Sequence, residues 1–202
     1  MKTTALLIVP LLLLPFTTQA QELRLSGGYN GSNVREVGDA GWTGRGGYQL
    51  GADLLLGGQL FLRTGAHLVV RDLNYSYYPA GENGLPSETP SDFRYTDRSL
   101  RVPAQVGLYL LDPDEDPGLN VYAVGGPSLL YVLNTELSND ALNVETRDAQ
   151  LYLGAGLGVT LGFVFLEGGY DFALNEQLST EPTDARVNLY YLQAGVRLQL
   201  AR

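Results

Sequence analysis

The chain has 202 residues, with 13 Lys and Arg against 22 Asp and Glu, a single His and no Cys, for a formal net charge of −9. An acidic chain of this kind lacks the cationic surface that nucleic-acid binding needs. Without cysteine it has no disulfide framework, no thiolate metal site and no lipid-acceptor Cys.

The first 20 residues read as a secretory signal peptide. Lys2 gives a positive start, residues 5–14 are apolar, and Thr18-Gln19-Ala20 ends in a small residue. The apolar stretch is about half the ~20 residues of a spanning helix, and Pro10 and Pro15 interrupt it. Cleavage is expected near Ala20, leaving residues 21–202 as one domain. Losing Lys2 leaves 12 basic and 22 acidic residues, a net charge of −10. No later segment approaches a helical span, so a membrane crossing would have to be made by strands.

From residue 21 onward the pattern has period 2, the mark of β-strands. A first, short strand spans about 22–30, with Leu23, Leu25 and Tyr29 on one face. A second, at 45–56, sets Tyr48, Leu50, Ala52 and Leu54 against Gln49, Gly51 and Asp53. A third, at 59–77, sets Leu60, Leu62, Ala66, Leu68 and Val70 against Arg63, Gly65, His67 and Arg71. A fourth, at 93–111, alternates Leu100, Val102, Ala104, Val106, Leu108 and Leu110 with Arg101, Gln105 and Gly107. A fifth covers 119–133, and its phase is open because Gly125-Gly126-Pro127 interrupts it. The sixth, at 146–161, opposes Leu151, Leu153, Ala155, Leu157 and Val159 to Gln150, Tyr152, Gly154, Gly156 and Gly158. The seventh, at 163–175, carries Glu167 and Asp171 on one face. The eighth, at 186–201, alternates Leu192, Ala194, Val196, Leu198 and Leu200 with Gln193, Gly195, Arg197 and Gln199.

The gaps alternate in length. Those near 31–44, 76–92, 134–145 and 176–185 are long and polar, and those near 57–58, 112–118 and 161–162 are brief. One rim therefore carries long loops and the other tight turns. The expected fold is all-β: an eight-stranded antiparallel up-and-down transmembrane β-barrel with short periplasmic turns and long extracellular loops. Tyr29, Tyr75, Tyr77, Phe93, Tyr95, Tyr131 and Tyr190 are expected near the outer rim as an aromatic girdle, and Phe61, Tyr109, Phe163 and Phe165 near the inner one.

The apolar faces then meet lipid, and the opposite faces enclose Asp53, Arg63, His67, Arg71, Arg101, Glu167, Asp171 and Arg197. Eight strands leave an interior only wide enough for side chains to fill. Charges inside it must be paired, since an unpaired buried charge costs several kcal/mol. These eight residues are expected to form a structural ion-pair network, with Asp53 facing Arg63 across the 57–58 turn and Glu167 facing Arg197. A polar pathway for a small solute is the functional alternative.

Other features carry less chemistry. His67 has no hydroxyl residue beside it for nucleophilic catalysis. The acids of 112–118 stand at every second position, but Gly118 is the seventh residue and no bidentate Glu follows, so a solvated turn is expected rather than a calcium loop. Gly154-x-Gly156-x-Gly158 opens no helix after a strand and fails as a phosphate loop. Its glycines are expected to make room for bulky lumen neighbours. No cofactor, metal site or catalytic residue is expected.

The chain resembles the PorT-like outer-membrane β-barrel family typical of Bacteroidota. The residues that carry the likeness are Leu100-Arg101-Val102-Pro103, Tyr122-Ala123-Val124-Gly125-Gly126-Pro127, the run 151–158, and Leu192-Gln193-Ala194-Gly195-Val196-Arg197-Leu198. Such barrels commonly end in an aromatic residue, whereas this chain ends Leu200-Ala201-Arg202. The resemblance implies a small integral barrel of the bacterial outer membrane, with no family catalytic residues to carry over. The expected role is structural or surface-interacting, without catalysis and as a monomer. Outer-membrane lipid is the expected partner, with an extracellular ligand or protein at loops 76–92 and 134–145. The competing readings are a narrow transport or secretion-accessory barrel, a lipid-modifying barrel enzyme, and a soluble lipocalin-like binder whose apolar set would face inward.

Overall fold

The computed structural model describes residues 21–36, 41–77, 91–111, 118–137, 145–146, 148–175, 178–180 and 183–201. Eight long strands make the wall: β1 (Gln21–Glu36), β2 (Gly46–Gly57), β3 (Leu60–Tyr77), β4 (Ser91–Tyr109), β5 (Leu119–Leu137), β6 (Ala149–Leu161), β7 (Val164–Ala173) and β8 (Thr183–Ala201). Each pairs antiparallel with the next, and β1 pairs with β8, so the cylinder closes. Three short strands extend it at the long-loop rim. Gly41–Gly44 pairs with β3, and Leu178–Thr180 pairs with β8 and with Glu145–Thr146.

Closure satisfies every strand edge internally, which is the condition for a sheet to sit in hydrocarbon. The tight turns at Gly57 and Gly162 need backbone angles of φ 129° and 58°, which a side chain would oppose.

The sidedness is inverted relative to a soluble barrel. Leu50, Leu60, Leu108, Leu157, Leu161, Leu192 and Leu198 are exposed, Leu157 to 66%. Arg24, Arg63, Arg71 and Arg101 are at most 2% exposed. From Leu60 to Leu68, nine residues of β3, the outward side chains are Leu60, Leu62, Thr64, Ala66 and Leu68, with no charge among them. That matches the roughly 9–11 residues a tilted strand needs to cross a bilayer. A soluble lipocalin-like barrel, with its apolar set inward, is the opposite arrangement.

Two expectations are corrected. The first strand is not short: all 16 residues of β1 pair with β8, through the stretch expected to begin a loop at residue 31. Its upper half lacks an apolar face, because Gly31 and Asn33 take the outward positions after Tyr29, so hydropathy alone loses it. Phe93 and Tyr95 do not join an outer girdle. They share the inward parity of Asp97, Ser99 and Arg101 on β4 and are buried at the long-loop end, where Tyr95 pairs with Leu73. Tyr29, Tyr131 and Tyr190 do face outward, and the Tyr29 and Tyr190 rings lie 6.3 Å apart. The side chains of Tyr75 and Tyr77 lie outside the described residues.

The phase of β5, open in the sequence, runs through unbroken. Asn120, Tyr122 and Val124 are inward before Gly125-Gly126-Pro127, as are Ser128 and Leu130 after it. Pro127 points outward, and it falls in the gap of the ladder with β4 between the rungs Val106↔Gly125 and Pro103↔Ser128, where a residue without an N–H is tolerated.

Candidate functional site: the charged lumen

The lumen is a stack of layers, each built where inward positions of neighbouring strands reach the same height. Nearest the short turns, Arg24 lies 2.5 Å from Glu22 on its own strand and donates to the Tyr109 hydroxyl at 2.7 Å. Its guanidinium sits 4.4 Å from the Tyr122 ring centre and 4.9 Å from that of Phe165. Leu55, Phe61, Tyr109, Tyr122 and Val124 pack beside it as an apolar plug. Flat rings fit so small a bore because glycine stands opposite them. Phe61 lies against Gly107 and Tyr122 against Gly158, where any Cβ would collide with the ring.

Above the plug, Glu167 is the hub. Arg63 Nη1 donates to both its oxygens, at 2.7 and 2.9 Å. The hydroxyls of Tyr122 (2.8 Å) and Tyr191 (3.0 Å) and the Gln193 amide (3.1 Å) donate to it as well. Arg63 also bonds Asp53 at 2.7 Å, and His67 Nε2 lies 2.8 Å from the other Asp53 oxygen. That contact assigns the His67 proton to Nε2. The His67 ring lies over Gly51, another position with no room for a Cβ. One charge-assisted network thus ties β2, β3, β5, β7 and β8 together.

Higher still, Arg101 meets Asp171 at 2.6 Å and lies 5.0 Å from the Tyr191 ring centre. Near the long-loop rim, Arg71 forms a two-pronged bond to Asp97 at 2.6 and 3.0 Å and donates to the Tyr152 hydroxyl at 3.1 Å. Ser99 donates to Asp97 at 2.8 Å. Leu73, Phe93 and Tyr95 are buried toward the outer end.

All eight residues singled out in the sequence are buried in the lumen. Asp53 and Arg63 face each other. The expected Glu167–Arg197 pair does not form. Glu167 stands opposite Gln193 in the ladder, and Val164↔Val196 is the last rung of β7 with β8, so Arg197 lies beyond the strand's start. Four residues of offset separate them by about 13 Å along the strand. Arg197 instead donates to the Gly162 carbonyl at 2.6 Å and lies 3.4 Å from Glu22.

Sequence reasoning missed Glu22, Arg24 and Asp97. Glu22 and Arg24 share the parity of Ser26 and Asn30, a polar face opposite Leu23 and Leu25, and that alternation is the signal that finds them. It also missed the bonds that Tyr109, Tyr122, Tyr152, Tyr191 and Gln193 make in the network; Tyr152 and Gln193 were read on the inward faces of their strands, but their partners lie elsewhere in the wall.

His67 and Asp53 form a dyad, but His67 Nδ1 has no hydrogen-bond partner and both side chains are fully enclosed. Gly154, Gly156 and Gly158 face Asp171, Tyr191 and Tyr122. The acidic turn, residues 112–117, and most of loops 76–92 and 134–145 lie outside the described residues, as does the 1–20 segment.

No family model and no characterised protein sequence matches this chain. Solved structures do. Outer membrane protein OprG from Pseudomonas aeruginosa is 11% identical with a TM-score of 0.56, covering 91% of this chain and 98% of its own. Neisserial surface protein A is 16% identical with a TM-score of 0.50, covering 89% and 97%. Ail of Yersinia pestis is 17% identical with a TM-score of 0.48, covering 88% and 99%. At these identities the likeness is one of fold. The chain is an eight-stranded barrel of the bacterial outer-membrane type, with its apolar wall toward lipid.

Proposed function

We propose that this protein is a monomeric, non-catalytic barrel closed to solutes, which serves the outer membrane structurally and presents its long loops at the cell surface. The supporting observation is the filled lumen. Three levels of the bore are crossed by side chains tied to one another, the Phe61–Tyr109–Tyr122 plug, the Arg63–Glu167 hub and the Arg71–Asp97 pair. A solute would have to break several charge-assisted bonds at once. The non-catalytic reading is supported by the dyad's enclosure, since the His67 and Asp53 side chains are buried and, among the described residues, no hydroxyl bonds His67 Nδ1.

Placement among the PorT-like barrels rests on the Val-Pro and Gly-Pro steps of β4 and β5. Loops 76–92 and 134–145 are the segments assigned to an extracellular ligand or protein, because function in such folds resides in loops held by a rigid scaffold. Residues 1–20 are assigned as the export signal.

Purified protein in a planar bilayer decides between a closed and a conducting barrel. The expected result is no current above the lipid background. Discrete single-channel steps would move the function to narrow transport.

A further inference from the structure

Unpartnered polar atoms are not spread evenly through the lumen. Gln105 of β4 stands opposite Gly126 of β5, between the rungs Val106↔Gly125 and Pro103↔Ser128. Gly126 pairs with Gly154 of β6, and Gly154 with Asp171 of β7. Two inward glycines therefore lie side by side, flanked by an amide and a carboxylate. Both flanking groups reach over that floor. A Cβ on Gly154 would collide with Asp171 Oδ1 and lie 3.3 Å from Gln105 Nε2. Arg101, further along β4, meets Asp171 from above at 2.6 Å, and Ser128 is the next inward residue of β5.

These four side chains are 1–2% exposed, yet seven of their polar atoms have no hydrogen-bond partner. They are both Gln105 amide atoms, Ser128 Oγ, Arg101 Nε and Nη2, and both Asp171 oxygens. Arg101 Nη2 and Asp171 Oδ2 hold each other as an ion pair at 2.6 Å, so five of these atoms are left with no partner of any kind. The contrast with Glu167, four residues below Asp171 on the same strand and fully bonded, is sharp. A buried group left without a bond bears its full desolvation penalty. A marginally stable fold does not carry five in one place.

We infer that this niche is a buried hydration site, a small cluster of water molecules bound by Gln105, Ser128, Arg101 and Asp171. The donor set selects the ligand. A cation is refused by the guanidinium of Arg101, and an anion by the carboxylate of Asp171. What remains is a small neutral molecule that donates and accepts, and water makes the two to four bonds that such sites offer. The Arg63–Glu167 hub lies on the short-turn side of the niche, and the Arg71–Asp97–Tyr152 layer on its long-loop side.

The test is magnetisation transfer from water to the Gln105 side-chain amide, in isotope-labelled full-length barrel in lipid nanodiscs. The Gln105 signal is assigned by its disappearance in Gln105→Met. The expected result is direct transfer with the sign of slowly exchanging, bound water. No transfer to Gln105, under conditions where exposed amides show it, overturns the proposal, and this measurement needs only the wild-type protein. A second readout uses the variant. If water bonds the amide, Gln105→Met lowers the thermal unfolding midpoint by several degrees, because the cluster loses a partner. If the niche holds no water, deleting an unbonded amide leaves the midpoint unchanged or raises it, and either outcome overturns the inference.

Discussion

Glu167 is the residue on which most of the lumen depends. It accepts from Arg63, Tyr122, Tyr191 and Gln193, so Glu167→Ala leaves the buried Arg63 guanidinium with Asp53 alone and takes the acceptor from three neutral donors. Urea unfolding in lipid vesicles is expected to show a loss of about 3–5 kcal/mol. Arg98→Ala provides the contrast. Arg98 also has a partner, Glu136 at 3.0 Å, but both side chains are about half exposed, and the loss should stay within about 1 kcal/mol. The glycines opposite rings make a second prediction. Gly158→Ala drives a methyl into the Tyr122 ring, whose hydroxyl serves Glu167. The expected cost is about 1–3 kcal/mol by the same measurement. The charged half of this site was legible from parity, since Arg63 and Arg101 oppose runs of Leu, Val and Ala, and Asp171 opposes Leu166, Tyr170 and Phe172. Their partners were not. Arg63 is bound by Glu167, 104 positions away, and that meeting depends on barrel curvature rather than on anything within one strand.

At the scale of the strand, sequence and structure agree where the outward face is apolar and part where it is not. β6 alternates exposed and buried along its whole length, and its glycines lie on the buried side. β1 runs past Asn30 because its upper half pairs with β8, which its own side chains do not announce. Arg197 shows the same limit. Its distance from Glu167 is a matter of which residue begins β7, and a shift of a few positions there changes the partner. The lipid-facing wall gives a depth test. Ala155 stands midway along the outward face of β6 and Leu161 at its end by the short turn. Ala155→Arg should cost about 2–4 kcal/mol, and Leu161→Arg no more than about 1, read from urea titrations in vesicles. Equal costs at both positions would contradict the assignment of this face to hydrocarbon.

For the whole molecule, closure is the property from which the others follow. The β1–β8 seam joins the two ends of the barrel over 16 residues, as many as any ladder in the wall. The folded cylinder should resist dissolution by detergent at room temperature and migrate faster on a gel than the boiled chain. Removing residues 21–30 should abolish that difference. The seam also has a cost during biogenesis. Until β1 meets β8, the newly made polypeptide is an open ribbon with two bare edges and one face of leucine, a shape that invites stacking with other copies in water. Its partners in that seam sit about 170 positions apart, so they are the slowest to find each other. Transit across an aqueous compartment therefore calls for an escort that masks those edges, and the zipping of this last pair is the step at which such an escort lets go.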